Sequence, residues 1–249
     1  MKKNIFRSLL LIAVAVVALT SCLGNVGNKY TLSSLMATVV ATSSNQVIVQ
    51  IDATQAYYFA DEFLGRELEI GERLLINKMT VNNDEQPVGA TGSQTKPIKM
   101  IEVTLQKVET EEVMSSGENE STMPNDSVEL FATPYLSTSA IGLSERTYIT
   151  FSGSVLKKSD PKFRLVFKEH LADSNGQGKD TLCYEFKAAN EKAGEKGSYE
   201  AFVQCFYMPS MKSEQIVKIA YYGKRFQAQD LLTNKKFAII KAPKKTENQ

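Results

Sequence analysis

Histidine and tryptophan are almost absent from this chain, and their scarcity limits its chemistry. The 249 residues include one histidine, His170, and no tryptophan. A Ser–His–Asp or Cys–His centre would have no base other than His170, which falls near a predicted strand end and is more simply interpreted as a solvated loop side chain. A zinc site needs more histidine and cysteine ligands than the chain supplies. With no glycine-rich phosphate loop and no distinctive carboxylate pair, we expect no catalytic residue, no metal, no cofactor and no enzyme.

An excess of positive charge is also lacking. The chain has 29 Lys and Arg residues against 28 Asp and Glu residues. Removing the first 21 residues takes away Lys2, Lys3 and Arg7 and no acidic residue, which leaves 26 basic and 28 acidic side chains. Nucleic-acid binding depends on neutralising phosphates with Lys and Arg. We therefore expect no nucleic-acid partner.

Only one long apolar run is present, at residues 9–19. It follows the three basic residues and precedes Thr-Ser-Cys at 20–22, which is the layout of a secretory signal peptide. The run is shorter than the roughly 18–20 residues that span a bilayer. Residues 19–22 resemble the lipobox of bacterial lipoproteins, so we predict a signal peptide over residues 1–21 and lipid attachment at Cys22. The alternative is an ordinary secretory signal that ends in a cysteine by chance.

The residues after Cys22 bear on which membrane holds the protein. Several acyl chains give stable anchoring because each buried CH₂ contributes about 0.8 kcal/mol. Leu23, rather than an aspartate that would favour inner-membrane retention, follows the cysteine, and no acidic run typical of surface-exported lipoproteins is present. The sequence therefore favours a palmitate-type anchor in the outer membrane that faces the periplasm.

Beyond the anchor, only Cys183 and Cys205 remain. An oxidising periplasm permits a disulfide between them, and both lie in strand-like runs. The alternation of the first run, however, places Cys183 on its polar face. A disulfide and two free thiols therefore both remain open.

The sequence pattern of the mature chain predicts β-strands as its main secondary structure. After an acylated N-terminus and spacer at 22–32, five strand-like runs occupy 33–109, and five strands in about eighty residues suit a small closed barrel. Residues 110–127 are acidic and polar without apolar periodicity, which indicates a linker rather than a cation site. Residues 128–242 suit an immunoglobulin-like β-sandwich, with runs at 128–132, 146–153, 163–169, 180–187, 199–208, 215–222 and 236–241. A polar, flexible tail is predicted at 243–249.

Several stretches together resemble the NigD-like lipoproteins of Bacteroides-type bacteria. Besides the lipobox, they are Ala-Thr-Val-Val at 37–40, Ile-Asp at 51–52, Gly-Glu-Arg-Leu-Leu-Ile-Asn at 71–77, Asn-Asp-Ser-Val at 125–128, and the pair of runs at 199–203 and 213–219. The chain departs from the family in lacking an acidic run after the cysteine and an early tryptophan in the second domain. The resemblance implies an all-β chain with an OB-like barrel before a β-sandwich. It implies little about activity beyond an immunity role proposed for a bacteriocin operon.

An OB-like barrel would offer a binding face. Such barrels hold oligosaccharides or oligonucleotides on strands two and three, and Tyr57, Tyr58 and Phe59 fall near that face. Aromatic rings can stack on sugars, although core packing of two of the three rings is the simpler explanation. We therefore expect either a glycan partner at this face or a protein partner in the envelope. The short Asp-Ser-Val and Asp-Thr-Leu patterns also make Ser127 and Thr181 candidates for O-glycosylation.

Overall fold

The protein is built almost entirely of β-strands. A computed structural model describes residues 28–115, 127–157, 161–172, 180–189, 198–209, 211–212, 215–223 and 234–242. Their strands are β1 Lys29–Thr42, β2 Val47–Ile51, β3 Tyr57–Ala60, β4 Arg73–Asn82, β5 Ile98–Val108, β6 Thr110–Glu112, β7 Val128–Leu130, β8 Tyr135–Ile141, β9 Ser144–Lys157, β10 Lys162–Leu171, β11 Thr181–Ala189, β12 Ser198–Met208, β13 Ile216–Gly223 and β14 Asn234–Lys241. Two short 3-10 helices cover Asp61–Phe63 and Asn83–Glu85. The predicted signal peptide, Cys22 and the tail lie outside the described residues.

The first five strands close into a barrel in the order β1-β2-β3-β5-β4. β1 is long enough to pair with β4 along its first part and with β2 along its second. Apolar side chains at alternating positions, among them Val49, Ile51, Leu74 and Ile76, point inward and are fully buried. The predicted five-stranded barrel is confirmed. β1 begins at Lys29, within the stretch predicted as spacer.

The remaining strands form a second, nearly closed sheet in two halves. One half runs β14-β13-β11-β10 and the other β8-β9-β12-β6. β7 joins the halves along one side because it pairs with both β9 and β13. The halves enclose one apolar core. The predicted all-β second domain is confirmed, and its layered halves are those of a sandwich.

The predicted linker is wrong at its start. Residues 110–112 form β6, which pairs in parallel with β12. The main-chain N–H of Met114 donates to the carbonyl of Leu165 at 2.9 Å, and that of Phe167 donates to Met114 at 2.9 Å. A Glu111–Arg164 ion pair crosses the same seam. This acidic stretch therefore closes the second side of the sandwich, because main-chain pairing needs no apolar periodicity.

Phenylalanine rings form the centre of the second core. The ring of Phe186 stacks on Phe151 with centroids 4.2 Å apart. It also lies 5.8 Å from Phe163 and 6.1 Å from Phe206. Phe151, Phe186 and Phe206 are essentially inaccessible to solvent. These rings join strands from both halves, so they hold the layers together.

β8 was not among the predicted strands. Its sequence, Tyr-Leu-Ser-Thr-Ser-Ala-Ile, has small hydroxyl side chains where an apolar face is usual. It turns tightly through Gly142 and Leu143 into β9, and Gly142 has a positive φ of 61°. Glycine allows that turn at no steric cost.

Among the residues that the structure describes, no helix has the length and apolar character needed to cross a bilayer.

Candidate functional site

A buried arginine joins the two domains. Arg73, at the start of β4, is 1% exposed. Its guanidinium binds the Asp52 carboxylate through two hydrogen bonds of 2.8 and 2.5 Å, and donates to the Thr38 hydroxyl at 2.6 Å. From the second domain, the ring of Tyr148 lies 4.8 Å below the guanidinium. The Thr150 hydroxyl lies 3.5 Å from it. We call these five residues the joint.

Arg73 keeps its positive charge at every physiological pH. Burial lowers the pKa of the Arg73 guanidinium, but the hydrogen bonds and charge of Asp52 outweigh that effect and raise the pKa overall. Paired buried charges of this kind are tolerated where hydrogen bonds satisfy them. The two terminal nitrogens of Arg73 are bonded in this way, whereas its Nε has no hydrogen-bond partner among the described residues. The two-pronged geometry suits arginine better than lysine. Arg73 therefore fixes the orientation of the barrel relative to the sandwich.

Three of the stretches that resemble the NigD-like lipoproteins meet at the joint. Thr38, Asp52 and Arg73 come one from each of the stretches at 37–40, 51–52 and 71–77. Gly71 in the third stretch has a φ of 94°, and its carbonyl accepts a hydrogen bond of 3.1 Å from the Tyr148 hydroxyl. A Cβ at Gly71 would lie 2.5 Å from the Arg146 guanidinium. These motifs therefore specify how the domains meet.

A cleft of about 1010 Å³ opens beside the joint, between the domains. This is at the upper end of the roughly 300–1,000 Å³ typical of ligand sites. The barrel contributes one wall through residues of β1, β2 and the turn after β2, while β8 and the end of β12 form the other. The lining residues are Ser34, Leu35, Met36, Gln50, Asp52, Ala53, Gln55, Tyr135, Leu136, Ser137, Thr138, Ala140, Glu145, Thr147, Tyr207, Met208, Met211, Lys212 and Ala242.

Two buried polar side chains of the cleft wall are not fully hydrogen-bonded. Ser137 and Gln50 are each 5% exposed. The Ser137 hydroxyl and the Gln50 side-chain carbonyl have no hydrogen-bond partner among the described residues. The Gln50 amide nitrogen, by contrast, donates to the side-chain and main-chain oxygens of Gln55 at 3.0 and 3.3 Å. Leaving such groups unpaired costs about 1–3 kcal/mol each, so these two residues are candidates for ligand contact.

The cleft presents no free charge. Asp52 is paired with Arg73, and Lys212 is 3.0 Å from Asp180. Glu145 also has an interaction within the chain. The Tyr135 hydroxyl lies 3.4 Å from the Asp52 carboxylate, and burial followed by the Asp52 charge raises the pKa of Tyr135. The phenol therefore stays neutral, and the lining suits an uncharged ligand.

A second cavity of about 670 Å³ lies on the other side of the joint. Its wall includes Glu69, Glu72, Glu109, Glu111 and Glu112 together with Arg73, Lys107 and Arg146. Among the described residues, no group of three or more histidine, cysteine or acidic side chains has the geometry to hold a metal ion. The Lys107 ammonium lies 2.7 Å from the Glu72 carboxylate. Part of the acidic charge in this wall is therefore neutralised by an ion pair within the protein.

The three predicted aromatic ligand residues do not share one face. Tyr58 is 4% exposed and belongs to the barrel core, so its assignment to a ligand face is wrong. The neighbours Tyr57 and Phe59 are half-buried on the outer face, because side chains alternate along a strand. Tyr57 pairs in register with Gln50. The outer face of β2 and β3 thus adjoins the cleft.

The cysteines are two free thiols, so of the two possibilities that the sequence left open the disulfide is not formed. Cys183 lies on β11 and Cys205 on β12, and these strands belong to different halves of the sandwich. Burial raises the pKa of both thiols. Cys205 instead lies 3.4 Å from the Thr150 hydroxyl, next to the joint. A buried, protonated thiol is a poor nucleophile.

The remaining candidates, His170, Ser127 and Thr181, do not line the cleft. His170 pairs with Asp180, whose carboxylate also accepts from the Gln215 amide at 3.0 Å. The hydrogen bonds from His170 and Lys212 lower the pKa of Asp180. Ser127 precedes β7, and Thr181 begins β11. O-glycosylation at either residue stays a prediction.

The chain is similar to known proteins in its fold and not detectably in its sequence. No protein-family model and no curated protein sequence matches the chain. A Bacteroides vulgatus protein of unknown function is similar, with a TM-score of 0.59 and 15% identity over 86% of this chain and 92% of that one. A predicted lipoprotein of Bacteroides fragilis has a TM-score of 0.54 and 12% identity over 87% and 99% of the two chains.

A NigD-like immunity protein from Bacteroides caccae is also similar. Its TM-score is 0.52 at 13% identity, over 83% of this chain and 93% of that one. Identity at this level establishes a common fold and leaves function to the site itself. The chain therefore has the two-domain all-β fold of a NigD-like immunity protein and of Bacteroides lipoproteins, as the resemblance in its motifs predicted.

Proposed function

We propose that this protein is a non-catalytic binding module held at the cell envelope by a lipid on Cys22, and that the cleft receives its ligand. The observation that carries the proposal is the pair of unsatisfied oxygens on Gln50 and Ser137. A fold that keeps buried polar groups unpaired loses stability, and a ligand that pairs them restores it. The joint supports the proposal because it holds both walls of the cleft in place before binding, which lowers the cost of association.

The anchor is supported by the signal-like N-terminus and by the similarity to a predicted lipoprotein of Bacteroides fragilis. We expect the wild-type protein to incorporate a labelled fatty acid and to fractionate with the outer membrane. A Cys22→Ala variant is expected to lose the label completely. The variant Cys183→Ala serves as the control, since its thiol lies in the folded domain and should not affect labelling. Labelling that persists in Cys22→Ala would contradict the anchor.

The cleft is tested by comparing two serines of β8. Ser137→Ala removes an unpartnered hydroxyl, so we expect unfolding free energy to stay the same or rise by about 1 kcal/mol. The matched control is Ser139→Ala, two positions along on the same face, where the hydroxyl donates to Thr38 at 2.8 Å. We expect that variant to lose about 1 kcal/mol. Urea denaturation of the purified mature chain gives both values.

Ligand capture then separates a functional serine from a structural one. With envelope extract as the source, Ser137→Ala should capture less ligand than wild type in spite of equal or greater stability. Ser139→Ala, whose hydroxyl contacts Thr38 and does not line the cleft, should capture ligand normally while it remains folded. If Ser137→Ala is destabilised like Ser139→Ala and captures ligand as well as wild type, the hydroxyl is structural and the proposal fails.

A glycan-binding role on the barrel face is the second candidate. It is supported by the half-buried rings of Tyr57 and Phe59 on the outer face of β3. These two rings are separated by one residue, the spacing of side chains that point the same way on a strand. An immunity role is suggested only by the similarity to the Bacteroides caccae protein, and it would require a protein toxin as ligand.

A further inference from the structure

We propose that the ligand of the cleft is an uncharged stretch of extended polypeptide that pairs with the free edge of β8. This inference rests on the proposed function of the cleft and names its ligand class. Addition of a strand to an exposed sheet edge is a common mode of peptide recognition, in which main-chain hydrogen bonds supply affinity and pockets select side chains.

β8 is an edge strand of the second sheet. β8 pairs with β9 along residues 135–141, and no other described strand pairs with β8. The two strands are joined by the two-residue turn at Gly142 and Leu143, so Ile141 and Ser144 form the first hydrogen-bonded pair. Hydrogen-bonded and non-hydrogen-bonded pairs then alternate. The main-chain groups of residues 136, 138 and 140 consequently point away from β9.

Those three residues all line the cleft. Leu136, Thr138 and Ala140 belong to its wall, and no hydrogen bond from their main chains to another described residue is present outside the β9 ladder. An edge strand with unpaired N–H and C=O groups is a template for another strand. Here the edge strand forms part of the cleft wall.

The rest of the wall fits a peptide better than a sugar. Met36 and Met211 line the cleft and are each 8% exposed, and methionine side chains adapt to varied partners. The charges of the lining are already paired, so a charged ligand segment gains nothing there. Ser137 and Gln50 can accept N–H groups from a peptide main chain or amide side chain. Residues 135–140 span about 20 Å at roughly 3.4 Å per residue, enough for about six ligand residues.

The test uses a library of synthetic uncharged heptapeptides and the purified mature chain. We expect binders, and for the best of them we expect N-methylation at alternate positions to divide the peptide into two classes. Methyl groups on the amides that face β8 should weaken binding at least tenfold, because each removes one hydrogen bond and blocks close approach. Methyl groups on the intervening amides should have little effect. Equal loss at all positions would overturn strand addition.

Hydrogen exchange provides a second measurement that needs no variant. Bound peptide should slow exchange of the amides of residues 136, 138 and 140, and should leave the other edge strand, β14, unchanged. Protection at β14 in place of β8 would overturn the inference. If the library yields no binder while a glycan array does, and Ser137→Ala weakens that glycan, the cleft remains the binding site and the polypeptide inference is wrong. If no probe depends on Ser137, the proposed function fails as well.

Discussion

Arg73→Met is expected to destabilise the protein by about 3–5 kcal/mol, because it leaves the buried Asp52 carboxylate without its cation. The Asp52 side chain is only 6% exposed, so water cannot replace both hydrogen bonds. The substitution also removes the bond to Thr38 and the contact with the Tyr148 ring. A loss of this size is a large part of the 5–15 kcal/mol that typically stabilises a domain.

The matched control is Lys78→Met, on the same strand. Lys78 pairs with Glu102 at 3.3 Å, but its side chain is 55% exposed, and exposed pairs contribute about 0–1 kcal/mol. Equilibrium urea unfolding of the two variants and wild type measures the difference. Equal, small losses would show that the joint is not a stabilising contact and that the domains are held together by other surfaces.

A double variant separates the ion pair from the space it fills. Arg73→Met with Asp52→Leu removes both charges and leaves an apolar joint. Replacing a buried pair with apolar residues is often neutral, so we expect the double variant to recover most of the stability lost in Arg73→Met. Because Asp52 and its neighbours also line the cleft, the double variant should still bind ligand less well than wild type. Stability and binding therefore respond differently to this pair of changes.

Phe186→Ala is expected to cost about 3–5 kcal/mol, the usual loss when a buried phenylalanine is truncated. The ring lies between strands of both halves of the sandwich and stacks on Phe151 at 4.2 Å. Its removal leaves a cavity that neighbouring rings cannot fill without leaving their stacked arrangement. We expect the second domain to unfold at a lower urea concentration.

Phe237→Ala is the control for ring removal. Phe237 lies on the outer face of β14 and is 54% exposed, although it contacts the Lys218 ammonium at 4.8 Å. We expect a loss of about 1 kcal/mol or less, since exposed cation–π contacts contribute about 0.5–1 kcal/mol. Thermal and urea unfolding of both variants measure the contrast. Similar losses in the two variants would contradict the assignment of Phe186 as the centre of the core.

The joint and the cleft share a residue, Asp52. Within the joint, Asp52 directly follows β2 and Arg73 begins β4, and Asp52 also lines the cleft. A flexible joint would let the walls separate and would add an ordering cost to each binding event. The buried Arg73–Asp52 ion pair therefore holds a wall of the cleft in place. Variants of Arg73 or Asp52 should alter affinity as well as stability.

Local patterns in the sequence were sufficient to predict the all-β class and the five-stranded barrel. Alternating runs such as 46–51 and 98–108 carry their burial pattern in their own residues, since a strand with one buried face must alternate. The basic, apolar and small-residue order of the first 22 residues is likewise local, and it predicts the anchor independently of the fold. The presence of a single histidine likewise argued against histidine-dependent catalytic centres, because composition can be read without knowing the fold.

Only the tertiary structure decided the features that depend on pairing across the chain. β8 carries small hydroxyl residues and Thr110–Glu112 carries charged ones, so neither shows apolar alternation, yet main-chain hydrogen bonds place both in sheets. The inward turn of Tyr58, the separation of Cys183 from Cys205 and the meeting of Asp52 with Arg73 each depend on strand register. Register is set by partners distant in sequence, and for that physical reason no single stretch of the chain contains it.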